Sequence, residues 1–199
     1  MKRVVSRIML TLLLTSMITL ALKTEPVEAT EPSIVGTSTL DGATRYSYQR
    51  KTFYANGRFW VFYANGMDLV YSTSTDGVNW DGPYNPGVGA RQYGQGFSVW
   101  YNGSHVAIDC NHQLDGLLYY RLGKPNTDGT ITWEAPRQHV GGDSTWINAM
   151  ITLDSNGYPF ITYYTSEPNK CFITKSEFRN GTWKTASGYS YVLSSDCLL

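Results

Sequence analysis

Three Asn-Gly pairs, Asn56-Gly57, Asn102-Gly103 and Asn156-Gly157, recur about every 50 residues in this 199-residue chain, and an internal repeat of that period restricts a fold more tightly than any local signal. Asn and Gly both tolerate positive φ at the centre of a two-residue hairpin turn, so each pair predicts two antiparallel strands folding back on each other. The surroundings repeat as well. Lys51 to Tyr54, Phe97 to Tyr101 and Ala149 to Asp154 precede the turns; Arg58 to Tyr63, Ser104 to Cys110 and Tyr158 to Tyr164 follow them. A third strand-like run comes next, at Met67 to Thr73, Gly116 to Leu122 and Cys171 to Glu177, and each unit closes on a Trp: Trp80, Trp133 and Trp183.

The runs Phe59-Trp60-Val61-Phe62-Tyr63 and Phe160-Ile161-Thr162-Tyr163-Tyr164 are β-branched and aromatic without clear alternation, which predicts strands buried on both faces, as inside stacked sheets. Aromatic residues make up 14% of the chain, charged residues only 16%, and there are 19 glycines, a balance suited to short strands and tight turns. The expectation is an all-β β-propeller of about three four-stranded antiparallel blades, over residues 50–90, 91–143 and 144–199, preceded by an N-terminal segment at 30–49. Because propellers typically close with about four to eight blades, three read as half of a six-bladed ring. The remainder would come from further reading frame or from other copies. Open end faces, with Trp60 and Phe62 in the first unit and Phe160, Ile161 and Tyr163 in the third, predict self-association.

Residues 1–29 read as a secretory signal peptide: Lys2, Arg3 and Arg7 precede the apolar run Ile8 to Leu22, and Val27-Glu28-Ala29 suits cleavage after Ala29. The alternative, an uncleaved anchor, has fewer apolar residues than the roughly 20 that a spanning helix prefers. Both readings put the domain outside the cytoplasm, with no membrane contact beyond export. Formal net charge is zero, and no basic run offers nucleic acid a footprint. Three cysteines, Cys110, Cys171 and Cys197, leave at least one unpaired within the chain and the pairing open, and Cys110 and Cys171 also read as small apolar strand residues. Asn102-Gly103-Ser104 and Asn180-Gly181-Thr182 are glycosylation sequons that equally read as plain turns.

The turn Ser74-Thr75-Asp76-Gly77-Val78-Asn79-Trp80 resembles, one residue short, the Asp-box, the Ser-x-Asp-x-Gly-x-x-Trp turn of sialidases and other propellers. The second closing turn keeps Asp128, Gly129 and Trp133, and the third keeps only Gly181 and Trp183. The resemblance to the sialidase-like superfamily implies that Ser74, Asp76, Gly77 and Trp80 are structural, joining the outer strands of a blade. Asp76 and Asp128 then read as turn residues rather than a catalytic carboxylate pair. Sialidases bind a substrate carboxylate with arginines, the first in a Phe/Tyr-Arg-Ile-Pro stretch, and Tyr48-Gln49-Arg50-Lys51 is the nearest counterpart here. Their nucleophilic Tyr and its Glu lie in later blades.

In a propeller, ligands reach the axis through loops that enter each innermost strand or join the second strand to the third. That reasoning selects Arg50, Arg91, Asp115 and Trp146 as ligand-binding candidates: the arginines for a bidentate grip on an acidic sugar, Trp146 for stacking on a ring. Asp109, Cys110, His112 and Asp115 sit close in sequence but match no zinc spacing and supply too few oxygens for a hard cation, so no metal and no cofactor is expected. The function expected is a secreted, non-catalytic propeller segment that recognises extracellular glycans or surface partners. The alternative is the N-terminal part of a sialidase-like exo-glycosidase.

Overall fold

The computed structural model describes residues 32–66, 68–89, 96–112, 116–140, 146–166 and 169–194, apart from the side chains of His112, Trp146, Ile147 and Ser166. Three antiparallel sheets follow one another along the chain. The first contains β1 (Thr52–Ala55), β2 (Arg58–Ala64), β3 (Leu69–Ser74) and β4 (Asp81–Tyr84) in sequential order. The second contains β5 (Phe97–Tyr101), β6 (Val106–His112), β7 (Leu117–Pro125) and β8 (Ile131–Trp133), with β9 (Gln138–His139) also paired to β7. The third contains β10 (Trp146–Leu153), β11 (Pro159–Ser166), β12 (Asn169–Lys175) and β13 (Tyr191–Ser194). Such consecutive up-and-down meanders, packed face to face, are the blades of a β-propeller. From Ser33 onward the described residues form one compact unit.

The packing explains the apolar runs. Trp60, Phe62 and Tyr71 of the first sheet meet Phe97, Val99 and Ile108 of the second, and Phe53 stacks on both Trp60, at 5.5 Å, and Tyr101, at 4.9 Å. On the other face of the second sheet, Ala107, Leu118, Tyr120 and Leu122 meet Ala149, Ile151 and Ile161 of the third. The middle sheet is therefore buried on both faces, and each large side chain removed from water contributes about 1.5–3 kcal/mol. Residues near the first strands also bind across sheets: Val99 N–H donates to Arg50 O at 3.0 Å, and Ile151 N–H to Ser98 Oγ at 2.8 Å.

Only the first Asn-Gly pair makes the expected two-residue turn. Asn56 and Gly57 both have positive φ, 54° and 74°, and join β1 directly to β2. Asn102 instead accepts the N–H groups of Ser104 and His105 through Oδ1, at 3.0 and 2.8 Å, and opens a longer loop before β6. In the third sheet Asp154 takes that role, accepting from Asn156 N and Tyr158 N, both at 2.9 Å. A side-chain acceptor stands in for a backbone carbonyl in both loops, which relieves the turn of its need for positive φ at Asn. Trp183 also departs from expectation: it precedes β13 by several residues, whereas Trp133 lies in β8 and Trp80 immediately precedes β4.

The inner aromatics of the first sheet do not face solvent, although Tyr54 and Phe59 on its other face are exposed. Trp60 and Phe62 are buried against the second sheet, and Ile161 and Tyr163 of the third likewise. The part of the outer face of the first sheet around Tyr63 is covered by the N-terminal segment. Gly36 lies so close to Tyr63 that an added Cβ would stand 2.0 Å from its hydroxyl oxygen. Thr39 N–H donates to Asn65 O at 3.2 Å, and Ala64 N–H to Ala43 O at 3.0 Å. Ser33 Oγ bridges the closing turn, donating to Gly77 O at 2.8 Å and accepting from Trp80 Nε1 at 3.1 Å. Tyr63 and Val70 are consequently only 6% and 3% exposed. No cap was expected here, because the segment lacks strand periodicity and covers this part of the face as irregular chain.

Candidate functional site

Beside the first strands lies a cleft of about 350 Å³ whose wall includes Tyr48, Arg50, Ser98, Trp100, Thr152 and Thr162. Arg50 is exposed, and its guanidinium carbon sits 4.4 Å from the centre of the Trp100 ring. The stacked indole holds the guanidinium plane by cation–π attraction. No side-chain acceptor or carboxylate partner occupies the Arg50 N–H groups among the described residues, so its fork remains available to a ligand. Thr152 and Thr162 add hydroxyls, while Met150, Phe160 and Ile173 supply an apolar floor.

Behind this wall is a buried polar cluster. Lys51 Nζ donates to Gln49 Oε1 at 2.9 Å and to Phe97 O, and lies 3.5 Å from the centre of the Phe97 ring. Gln49 Nε2 donates to Ala149 O at 2.8 Å. Asp109, fully buried on β6, accepts Ser98 Oγ–H through Oδ1 at 2.6 Å, together with Ser98 N–H, while its Oδ2 has no partner among the described residues. Burial pushes the Asp109 carboxyl up to about 6, against the hydrogen bonds from Ser98 and the charge of Lys51. Burial likewise brings Lys51 down to about 8, against the charge of Asp109. The cluster pins all three sheets together at their first strands, and Asp109 reaches the cleft only through Ser98.

Of the residues selected from sequence, Arg50 lines the cleft. Arg91 and Asp115 lie outside the described residues, and Trp146 is described only as the strand position paired with Thr165. Tyr48 and Trp100 were not selected. The alternation Phe97-Ser98-Val99-Trp100, with Phe97 and Val99 in one core and Trp100 on the opposite face, is the signal that could have found Trp100. Asp109 and Cys110 are buried in strand β6, which also contains His112. Among the described residues no group of three or more His, Cys, Asp or Glu side chains could hold a metal. Cys110 fills the first core as a small apolar residue does, whereas Cys171 is disulfide-bonded.

The structural candidates form one hydrogen-bonded turn. Asp76 Oδ1 accepts Ser74 Oγ–H at 2.9 Å and the N–H groups of Val78 and Asn79 at 2.8 Å, and Asn79 Nδ2 donates to Oδ2 at 2.8 Å. Donation from Asn79, backbone then side chain, and from Val78 and Ser74 holds this carboxyl far below the usual carboxylate range. Asp128 is lowered in the same sense by the Thr130 hydroxyl and N–H. Both carboxylates are spent on their own turns.

No protein-family model matches this sequence, and no curated protein matches it. Among solved structures it is similar to a bifunctional GH43-CE protein from Bacteroides eggerthii, at 14% identity and a TM-score of 0.44, over 82% of this chain and 23% of that one. It is also similar to an alpha-L-arabinofuranosidase from Clostridium thermocellum, at 16% identity and a TM-score of 0.38, over 71% of this chain and 54% of that one. The chain thus spans about a quarter of the first protein and about half of the second.

Proposed function

We propose that this chain is an exported, glycan-recognising β-propeller segment of Asp-box type, with its ligand cleft at Arg50 and Trp100. The observation that carries the reading is the Arg50 guanidinium stacked 4.4 Å over Trp100 in a cleft of about 350 Å³. A planar cation held by an aromatic wall, with hydroxyls around an apolar floor, suits the mixed polar and apolar faces of a sugar. The described lining contains no carboxylate, which favours recognition over glycoside cleavage by paired acids. The hydrogen-bonded turn at Ser74–Trp80 supports the Asp-box assignment, and the basic and apolar sequence before Ala29 supports export.

The test is a glycan array followed by calorimetry on the bound class. Arg50→Ala and Trp100→Ala should each weaken binding about tenfold or more, roughly 1.4 kcal/mol; exposed Arg50→Ala should do so without a matching loss of melting temperature, whereas Trp100 also packs against the second core and its removal should lower that temperature. Unchanged affinity in both variants overturns the cleft assignment.

A further inference from the structure

A second cleft opens between the hairpin loops of the second and third sheets, on the side away from Arg50. It encloses about 320 Å³ and is lined by Asn102, Ser104 and His105 from one loop and Ser155, Asn156 and Arg179 from the other sheet, over a floor that includes Leu122 and Leu153. That size is at the lower end of ligand clefts, which run from about 300 to 1,000 Å³.

The same repeat makes a closed junction between the first and second sheets. There Asn56 Nδ2 donates to Pro125 O at 2.6 Å and Arg58 Nε to Thr127 O at 2.9 Å, so two side chains from the hairpin bridge to the next sheet's closing loop. At the second junction the corresponding residues do not bridge. Asn102 spends Oδ1 on its own loop, and Ser104, in the place of Arg58, is too short to cross. Its hydroxyl pairs with His105 Nδ1 at 2.9 Å, and His105 Nε2 faces Glu134 Oε1 at 3.4 Å. His105 is therefore a fixed wall with both ring nitrogens engaged.

The charge in this cleft belongs to Arg179. One Nη donates to Asn156 O at 3.1 Å, which orients the guanidinium; Nε and the other Nη have no acceptor among the described residues. The acids near this cleft have other partners: Glu177 pairs with Lys184 at 2.5 Å, and Glu134 lies 3.2 Å from Lys124 Nζ as well as facing His105. Asp154 gives Oδ1 to Asn156 N and Tyr158 N, and its Oδ2 lies 3.6 Å from Lys175 Nζ. An oriented arginine without a carboxylate partner, in a small cleft of amides and hydroxyls over a leucine floor, matches a ligand with one carboxylate and a compact hydroxylated body.

We propose that this junction is a second binding site, specific for a carboxylate-bearing monosaccharide such as a hexuronic acid. Arg179 grips the carboxylate, and Asn102 and Ser155 meet the ring hydroxyls. The site is independent of the Arg50 cleft.

The experiment is an amide-resolved NMR titration of the full chain with glucuronate, glucose and acetate at constant ionic strength. Glucuronate should shift the Asn102–His105 and Ser155–Gly157 amides and saturate in the millimolar range, with glucose and acetate each at least tenfold weaker. Arg179→Gln should weaken glucuronate tenfold or more, and Ser155→Phe, which fills the cleft without altering charge, should abolish the shifts. Arg50→Ala should leave them unchanged, which separates this site from the first cleft. Equal binding of acetate, equal binding of glucose, or saturable shifts that survive both Arg179→Gln and Ser155→Phe would each overturn the proposal.

Discussion

At the centre of the molecule, burial is the largest influence on Asp109 and Lys51 alike, opposed at Asp109 by the hydrogen bonds from Ser98 and the charge of Lys51, and at Lys51 by the charge of Asp109. Removing the opposite charge near a buried ionised group leaves that group uncompensated, which destabilises the folded state. Lys51→Met should therefore destabilise strongly at pH 7, and Lys51→Met combined with Asp109→Asn should recover a large part of that loss in urea melts. A double variant as unstable as the sum of the singles would show that the pair is not coupled. The pH dependence has a definite sign. The folded carboxyl of Asp109 is raised to about 6, so its contribution is complete below its unfolded value and is lost as pH rises through about 6. Between pH 4 and 7 the native protein should lose stability relative to Asp109→Asn, which does not ionise. Lys51, lowered to about 8, works in a higher window: its contribution is complete above the unfolded lysine value and is lost as pH falls through about 8.

At the scale of single elements, the closing turns share one backbone feature, as do the hairpins with Gly57, Gly103 and Gly157 at 74°, 96° and 84°. Gly77, Gly129 and Gly181 all have positive φ, 75°, 90° and 87°, although the residues around them diverge. At Gly77 an added Cβ would meet only Phe59 Cε2 at 3.7 Å, an ordinary contact, so the constraint there is backbone conformation and not space. Gly77→Val should cost about 1–2 kcal/mol or somewhat more for the branched side chain. At about 2–4 °C per kcal/mol for a domain of this size, a fall of several degrees in melting temperature is expected. An unchanged value would mean that the turn does not hold Gly77 at positive φ in solution. The second and third hairpins use the device of the closing turns: Asn102 and Asp154 accept backbone N–H groups as Asp76 and Asp128 do.

At the scale of the whole molecule the two ends are unlike. The irregular segment from Ser33 covers the outer face of the first sheet around Tyr63 and leaves Tyr54 and Phe59 exposed, whereas the third sheet ends on β13 with Tyr191, Val192 and Leu193 at 58%, 49% and 58% exposure and with Met150 at 39%. A hydrophobic edge strand is a ready template for pairing with another chain. Self-association is therefore expected to run through β13. Val192→Lys together with Leu193→Lys should lower the apparent mass in concentration-dependent light scattering, whereas Gly36→Ala, at the covered end, should instead loosen the segment over Tyr63 and increase dye binding. Scattering that reports a monomer at all concentrations for the native chain would remove β13 from consideration as an interface.

The sequence by itself determined the number of sheets, their four-stranded order and the strands buried on both faces, because hydrophobic runs, turn residues and a fixed period are local quantities that repetition amplifies. It also marked Asp76 and Asp128 as turn residues and Arg50 as a cleft residue, since these follow from position within a repeating unit. Only the tertiary structure decided that the Ser33–Tyr48 region covers part of the first sheet, that Trp100 holds Arg50, and that Asp109 is fully buried and accepts from Ser98 within reach of the charge of Lys51. Those contacts join residues tens of positions apart, and their energies come from burial and from the distance between charges, neither of which exists until the sheets are stacked.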